Sequence, residues 1–257
     1  MPTLFISDIH LCAERPGTTR LFLDFLRGRA ADARALYILG DLFEYWIGDE
    51  AVEQDEFRAV IAALRALTAG VPVHVMHGNR DFLMGARFEQ ATGCRLLEDP
   101  TRIDLYGTPA LLLHGDSLCT DDTEYMAIRA MVRDPAWQQA VLAKSARERD
   151  ALFRRYRELS KAATAAKRPE IMDANQDAIV AAMKQHGVRH LIHGHTHRPG
   201  DHHFRLDGAP ARRLVLGDWY EQGSVLRCDA SNWTLESLPL ARPDRNRTQD
   251  SGLRTQD

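Results

Sequence analysis

Short apolar runs that stop abruptly at polar side chains recur along the chain. LFISDIH (4–10), LYILGD (36–41), VHVMHGNRD (73–81), ALLLHGD (110–116) and HLIHGHTH (190–197) each read as a strand ending in carboxylate, amide or imidazole groups. Between the early runs the period lengthens: Phe57, Ile61, Leu64 and Leu67 mark one face of a helix. This alternation predicts an α/β sheet covered by helices, with ligands gathered beyond the carboxyl ends of the strands. After Gly200 the texture changes. RLVLGD, SVLRCD and WTLESL are short strands without long helices between them, and they predict a second sheet packed on the first.

Residues 118–170 break the pattern. Asp121 and Asp122 can cap a helix carrying Tyr125, Ile128 and Met131, Asp134–Pro135 starts another, and an Ala/Arg-rich helix runs from about Lys144 to Lys167. The block reads as a helical cap inserted into a core made of 1–117 and 171–240, and the polar tail 241–257, with RTQD twice, reads as disordered. Residues 144–168 hold nine basic and three acidic residues, although the whole chain carries a net −3. On that helix Phe153, Tyr156, Ser160, Thr164 and Lys167 fall on one stripe, apolar at one end and polar at the other. The stripe either faces a core or meets a ligand with a greasy part and an anionic head. A basic amphipathic cap also suits an anionic membrane surface.

Length and composition narrow the class. At 257 residues, 44% of them hydrophobic, the chain can form one large domain with an insertion. The net charge gives no sign of a nucleic-acid binder. Cys12, Cys94, Cys119 and Cys228 are scattered without a CxxC pair, so neither a disulfide framework nor a thiolate metal site is indicated. Strand-like sequence from Thr3 leaves no room for a signal peptide, and no apolar run is long enough to span a bilayer. The expected location is the cytosol or the inner face of a membrane.

The polar strand ends carry the chemistry. A lone aspartate at such a place is usually a turn former. Five such clusters together, all with oxygen or nitrogen donors, predict a metal site. Asp8 and His10 can reach one ion from a single loop, Asp41 has two oxygens and can bridge a pair, and Asn79, His114, His195 and His197 add neutral donors. Seven donors exceed what one ion needs. With Asp41 shared, each of two ions has four protein ligands, and His195 and His197 face different ions. His193 is left to pack or to support a ligand. Absence of thiolate favours Mn²⁺, with Fe²⁺ or Zn²⁺ as alternatives.

DIH, GDLFEYW, GNRD, HGD and HGHTH, in this order between Asp8 and His197, resemble the five blocks of the calcineurin-like metallophosphoesterases. The resemblance implies a four-layer αββα sandwich of two mixed sheets with the helical cap inserted. It also implies one metal on Asp8, His10, Asp41 and His197 and another on Asp41, Asn79, His114 and His195. A pair of divalent ions makes water nucleophilic at neutral pH and clamps the phosphoryl oxygens. Arg80 stands where many phosphatases of the family have a histidine that protonates a departing alkoxide. Arginine cannot give up its proton, but it can stabilise equatorial charge. A phosphate leaving from an anhydride needs little protonation, so Arg80 tilts the expectation toward pyrophosphate cleavage; the alternative is another acid, His193 or a water.

GDLFEYWIGD (40–49), HGNRDFL (77–83), HGDSLCTDD (114–122), SKAATAAKRPEIMD (160–173) and HGVRHLIHGHTHRP (186–199) resemble a narrower branch, the UDP-2,3-diacylglucosamine diphosphatases of lipid A biosynthesis. That resemblance implies attack of a metal-activated water on the α-phosphorus, two Mn²⁺ ions, and peripheral binding at the cytoplasmic face of the bacterial inner membrane. It implies substrate contacts at Asn79, Arg80, Asp122, Ser160, Lys167 and His195, with Asn79, Arg80 and His195 at the reacting phosphate. Thr164 departs from the amide often found at its position, though its hydroxyl still donates and accepts. Acyl chains are expected against apolar cap residues and Phe82, Leu83 and Met84. No nucleic acid and no obligate protein partner is expected. The competing readings are a soluble nucleotide phosphodiesterase or pyrophosphatase on the same metal pair, and a protein-binding scaffold; scaffolds of this family typically lose metal ligands, whereas all seven are intact here.

Overall fold

The computed structural model describes residues 1–240, apart from the side chains of 159–166 and 169–170. The chain opens with β1 (Thr3–Ile6), α1 (Pro16–Arg27), β2 (Ala35–Leu39), α2 (Asp55–Thr68), β3 (Val73–Met76), α3 (Ala86–Thr92) and β4 (Arg95–Leu97). Strands β5 (Thr101–Leu105) and β6 (Thr108–Leu112) follow, then the cap helices α4 (Thr123–Val132), α5 (Pro135–Leu142) and α6 (Ala146–Ala166). Helix α7 (Gln176–Gln185) leads into β7 (His190–His193), β8 (Gly200–Leu206), β9 (Ala209–Val215), β10 (Gln222–Cys228) and β11 (Trp233–Pro239).

Two mixed sheets result, ordered β11-β10-β1-β2-β3-β4 and β5-β6-β7-β9-β8. The run from β1 to β4 is parallel, as helices between strands require. The late strands correct the sequence expectation. They do not make the second sheet by themselves: β8 and β9 join it beside β7, whereas β10 returns antiparallel to β1 in the first sheet and carries β11 at its edge. Burial gives the reason. Strand β10 is buried on both faces, with Val225 on the helix side and Leu226 between the sheets, which suits only a strand inside a covered sheet.

Period-two alternation sorts the side chains into layers. In β1, Leu4 and Ile6 meet Phe22 and Phe25 of α1 and Val60 and Leu64 of α2, while Phe5 points the other way. Phe5, Leu39, Met76 and Leu226 of the first sheet pack against Leu112, Ile192 and Leu214 of the second. On the far side Leu111 and Leu191 meet Ile179 and Met183 of α7. Helix, sheet, sheet, helix is the order, and β1, β2, β3, β6 and β7 all end at the same edge of this sandwich.

The cap helices begin where their capping side chains stand. Asp122 accepts from the Tyr125 amide at 3.1 Å and Asp134 from the Trp137 amide at 2.8 Å. Arginines tie the cap to the body: Arg129 to Asp116 (2.9 Å), Arg133 to the Gly78 carbonyl (3.0 Å), Arg157 to Glu44 (2.9 Å) and buried Arg149 to Glu50. The four cysteines are buried and free. Among the described residues no helix is long and apolar enough to cross a membrane. The expectation of disorder for 241–257 lies outside the described residues.

Phe5 is fully buried between the sheets. Phe5→Ala is expected to cost about 3–5 kcal/mol in urea denaturation with the fold retained. A change under about 0.5 kcal/mol, typical of surface sites, would contradict the layering.

Candidate metal centre

As each strand leaves the sheet its chain must double back sharply to present a side chain at the common edge. Asp8, His10, Asp41, His195 and His197 do so with positive φ, between 51° and 67°. This region is sparsely used by residues other than glycine and costs of order 1–3 kcal/mol each. Five of the seven proposed ligands bear that strain. Two glycines permit the loops to close. A Cβ on Gly78 would lie 2.0 Å from Asp41 Oδ1, and one on Gly194 would lie 2.3 Å from Asp8 Oδ2. No larger residue fits at either place.

All seven proposed ligands come together. In one group His197 Nε2 lies 3.4 Å and His10 Nε2 lies 3.9 Å from Asp8 Oδ1, and the two nitrogens are 3.2 Å apart. In the other, Asn79 Oδ1 is 3.0 Å from His114 Nε2 and 2.9 Å from His195 Nδ1. Asp41 Oδ2 stands between the groups, 3.8 Å from both His10 Nε2 and His114 Nε2. Asp8 is also close enough to serve both groups, a sharing that the sequence reading gave to Asp41 alone.

The carboxylates are prepared for cations. Asp8 Oδ2 accepts from the Ser7 hydroxyl (2.5 Å) and the His195 amide (2.8 Å), whereas buried Oδ1 has no hydrogen-bond partner. Asp41 likewise gives Oδ1 to the Arg80 amide at 2.8 Å and turns Oδ2 to the imidazoles. One oxygen of each is anchored and the other aimed inward. A buried oxygen left so costs about 1–3 kcal/mol unless something positive meets it. The residues therefore fit a pair of divalent ions.

Electrostatics agrees. Burial lifts the Asp41 carboxyl to about 7, with Asp81 and Asp8 adding repulsion against the pull of His114. Burial opposes a proton on His114, yet Asp41, Asp116 and Asp8 outweigh it and raise the imidazole to about 9. Asp8 stays well below the usual carboxylate range despite burial, because His197 close beside it, His114 and His10 add positive charge. The field that drags a proton onto His114 is the field that holds a cation. Burial pushes His195 down to about 3 and His193 to about 4, so both remain neutral. His193 is fully buried, with Nδ1 at 2.9 Å from the Gly194 carbonyl, and packs behind the cluster.

Several supporting residues escaped the sequence reading. Buried Asp81 accepts from the amides of Leu42 (2.7 Å), Phe43 (3.3 Å) and Gly78 (2.8 Å), locking the Asp41 loop to the Asn79 loop. Asp116 holds Arg129 and accepts from the Tyr125 hydroxyl at 3.2 Å. Glu44 faces His10 Nδ1 at 3.6 Å, and Asp218 faces His197 Nδ1 at 3.5 Å. Such outer carboxylates fix ring orientation. Asp218 had a signal: RLVLGD ends as LYILGD does.

Beside the centre lies a cavity of about 450 Å³ under the cap. Asn79 and Arg80 line its inner end, Phe82, Ile128, Met131, Phe153 and Tyr156 its apolar walls. Asp122 and Lys167 line it too, and pair with each other at 2.6 and 2.8 Å. The sequence expectation for 82–84 needs correction: Leu83 and Met84 are buried in the core, and only Phe82 reaches the cavity. Ser160 and Thr164 lie outside the described residues.

A profile of the family described as calcineurin-like phosphoesterase matches residues 1–199. A protein named UDP-2,3-diacylglucosamine hydrolase from Pseudomonas paraeruginosa (strain DSM 24068 / PA7) is 49% identical over 240 residues, covering 93% of this chain and 100% of its own. One of the same name from Xanthomonas campestris pv. campestris (strain ATCC 33913) is 50% identical over 252 residues with the same coverage. The crystal structure of a dimetal phosphatase from Danio rerio is similar in fold, with a TM-score of 0.51 at 15% identity over 94% of this chain and 96% of that one.

Asp81→Asn sets an amide NH₂ against backbone N–H groups. It is expected to lower stability by about 1–3 kcal/mol and Mn²⁺ affinity about 10- to 100-fold, read by thermal melting and calorimetric titration. Unchanged metal affinity would contradict the loop-locking role.

Proposed function

The chain belongs to the calcineurin-like phosphoesterase family, and from that premise we propose that it hydrolyses the pyrophosphate bond of UDP-2,3-diacylglucosamine, giving UMP and 2,3-diacylglucosamine 1-phosphate. One observation carries the reading: a cradle for two cations opens into a cavity with a charged inner end and apolar walls. A pyrophosphate-linked lipid has that polarity. Relatives of this name, alike over 93% of the chain, support it.

Asp8, His10, Asp41 and His197 would hold one Mn²⁺, and Asp41, Asn79, His114 and His195 the other. Bound there, the pair supplies Lewis acidity, which makes water nucleophilic at neutral pH and neutralises phosphoryl oxygens. The chain's own groups do the rest. Arg80 lines the cavity next to Asn79 and keeps a buried Nε without a partner, a donor ready for phosphoryl oxygen. Being permanently charged, it stabilises the departing phosphate without protonating it. An anhydride leaving group suits that. His195, neutral and with Nδ1 2.9 Å from Asn79 Oδ1, would stand at the same phosphate.

Ile128, Met131, Phe153 and Tyr156 give the acyl chains an apolar wall, and the Lys167–Asp122 pair offers the sugar both a donor and acceptors. Ser160 and Thr164, which share the sequence stripe of Tyr156 and Lys167, complete the proposed substrate contacts. Ile128, Met131 and Leu142 are exposed on the cap, whose helix α6 is rich in basic residues. Apolar side chains among cations suit an anionic bilayer surface, so the cap rests against the cytoplasmic face of the inner membrane to collect its substrate.

The test is UMP release from UDP-2,3-diacylglucosamine in ¹⁸O water. Turnover is expected to need Mn²⁺, to stop on chelation, and to place the label in UMP. Deacylated UDP-glucosamine should fall in kcat/KM by on the order of a hundredfold or more, since its apolar burial is lost. Equal turnover of both, or activity confined to soluble diesters such as bis(p-nitrophenyl) phosphate, would contradict the reading.

A further inference from the structure

The cavity accounts for the lipid half of the proposed substrate and leaves the nucleoside unplaced. With the α-phosphorus attacked in line, the leaving phosphate sits opposite the incoming water, and the uridine oxygen is equatorial. The nucleoside therefore departs sideways from the metal centre rather than along the cavity axis. A wall other than the cavity's must receive it.

One wall is built for that. Tyr220 is 39% exposed, and its ring lies 5.2 Å from His10 and 5.4 Å from His197, centre to centre. It does not line the lipid cavity. Among the described residues the other exposed large apolar side chains, Met1, Ile128, Met131 and Leu142, lie at the N-terminus and on the cap. The Arg15 guanidinium stands 4.5 Å from the Tyr220 ring centre and is fixed by Glu44 and the His10 carbonyl, both at 2.6 Å.

The loop under the ring is rigid. Trp219 is fully buried against Phe22 and Phe25, its amide donates to the Asp8 carbonyl at 3.1 Å, and its carbonyl accepts from Thr18. The Tyr220 amide donates to Asp218 at 2.9 Å. The ring stacks on His10 at 26°, and its exposed part, held this firmly beside the candidate metal centre, is a preorganised stacking surface.

We infer that Tyr220, braced by Arg15, is the platform on which the pyrimidine base of the substrate and of the UMP product stacks. The assignment rests on the pyrophosphate reading above. It makes the enzyme recognise its nucleotide by a base face rather than by phosphate alone. Base–aromatic stacking contributes roughly five- to hundredfold in affinity.

The test compares UMP with ribose 5-phosphate, which shares sugar and phosphate but has no base, by calorimetry on the full chain with Mn²⁺. The unaltered protein should bind UMP about tenfold or more tighter. Tyr220→Leu should bring that ratio to within about twofold, and Tyr220→Trp should preserve it. A ratio near one in the unaltered protein would overturn the inference. So would a ratio that survives in Tyr220→Leu while both ligands weaken together, since the ring would then merely buttress His10 and His197. UMP selectivity without UMP release from the lipid substrate would instead sink the proposed function and leave the base platform standing.

Discussion

Two buried carboxylates that cannot both stay ionised without a nearby cation govern this structure. Asp8 and Asp41 are fully enclosed, each with one oxygen fixed by hydrogen bonds and the other facing imidazoles. Without metal, a proton on His114 serves as the counter-charge. Divalent ions answer the same field more strongly. The strained backbone at five ligands, the glycines that let loops touch and the outer ring of Asp81, Asp116, Glu44 and Asp218 all hold those oxygens where repulsion would otherwise part them. Strain of this kind persists only where the surrounding structure over-determines it.

The sandwich is what does the over-determining. Its strands end together, so side chains from positions 8 to 197 meet at one edge without any long connection reaching across. The cap is joined to this edge by arginines that land beside the ligands: Arg133 on the Gly78 carbonyl, Arg129 on Asp116, Arg157 on Glu44. Cap and metal centre therefore share partners. A shift of α6 would pull on the carboxylate that faces His10, so substrate seated under the cap and ions seated at the strand ends stabilise each other.

Local information made most of this legible in the sequence. An apolar run stopped by Asp, Asn or His marks both a strand and the end of it, so the five ligand-bearing segments and the seven donors stood out before any fold was known. Capping chemistry likewise foretold α4 and α5 from Asp122 and Asp134. Sheet membership was harder. The pattern of β10 says that both faces are covered but not by which neighbours, so its return to β1 could not be read. The same limit hid Asp81, Glu44 and Tyr220: their roles depend on what lies across a loop, and nothing in their own neighbourhood of sequence states it. Leu83 and Met84 looked like lipid contacts for the converse reason, since an apolar residue reads alike in a core and in a cavity.

Anomalous diffraction at the manganese edge, from crystals grown with Mn²⁺, tests the central claim most directly. Two peaks about 3.5–4 Å apart are expected, one among Asp8, His10 and His197, the other among Asn79, His114 and His195, with Asp41 between them. A single peak, or peaks away from these side chains, would contradict the account.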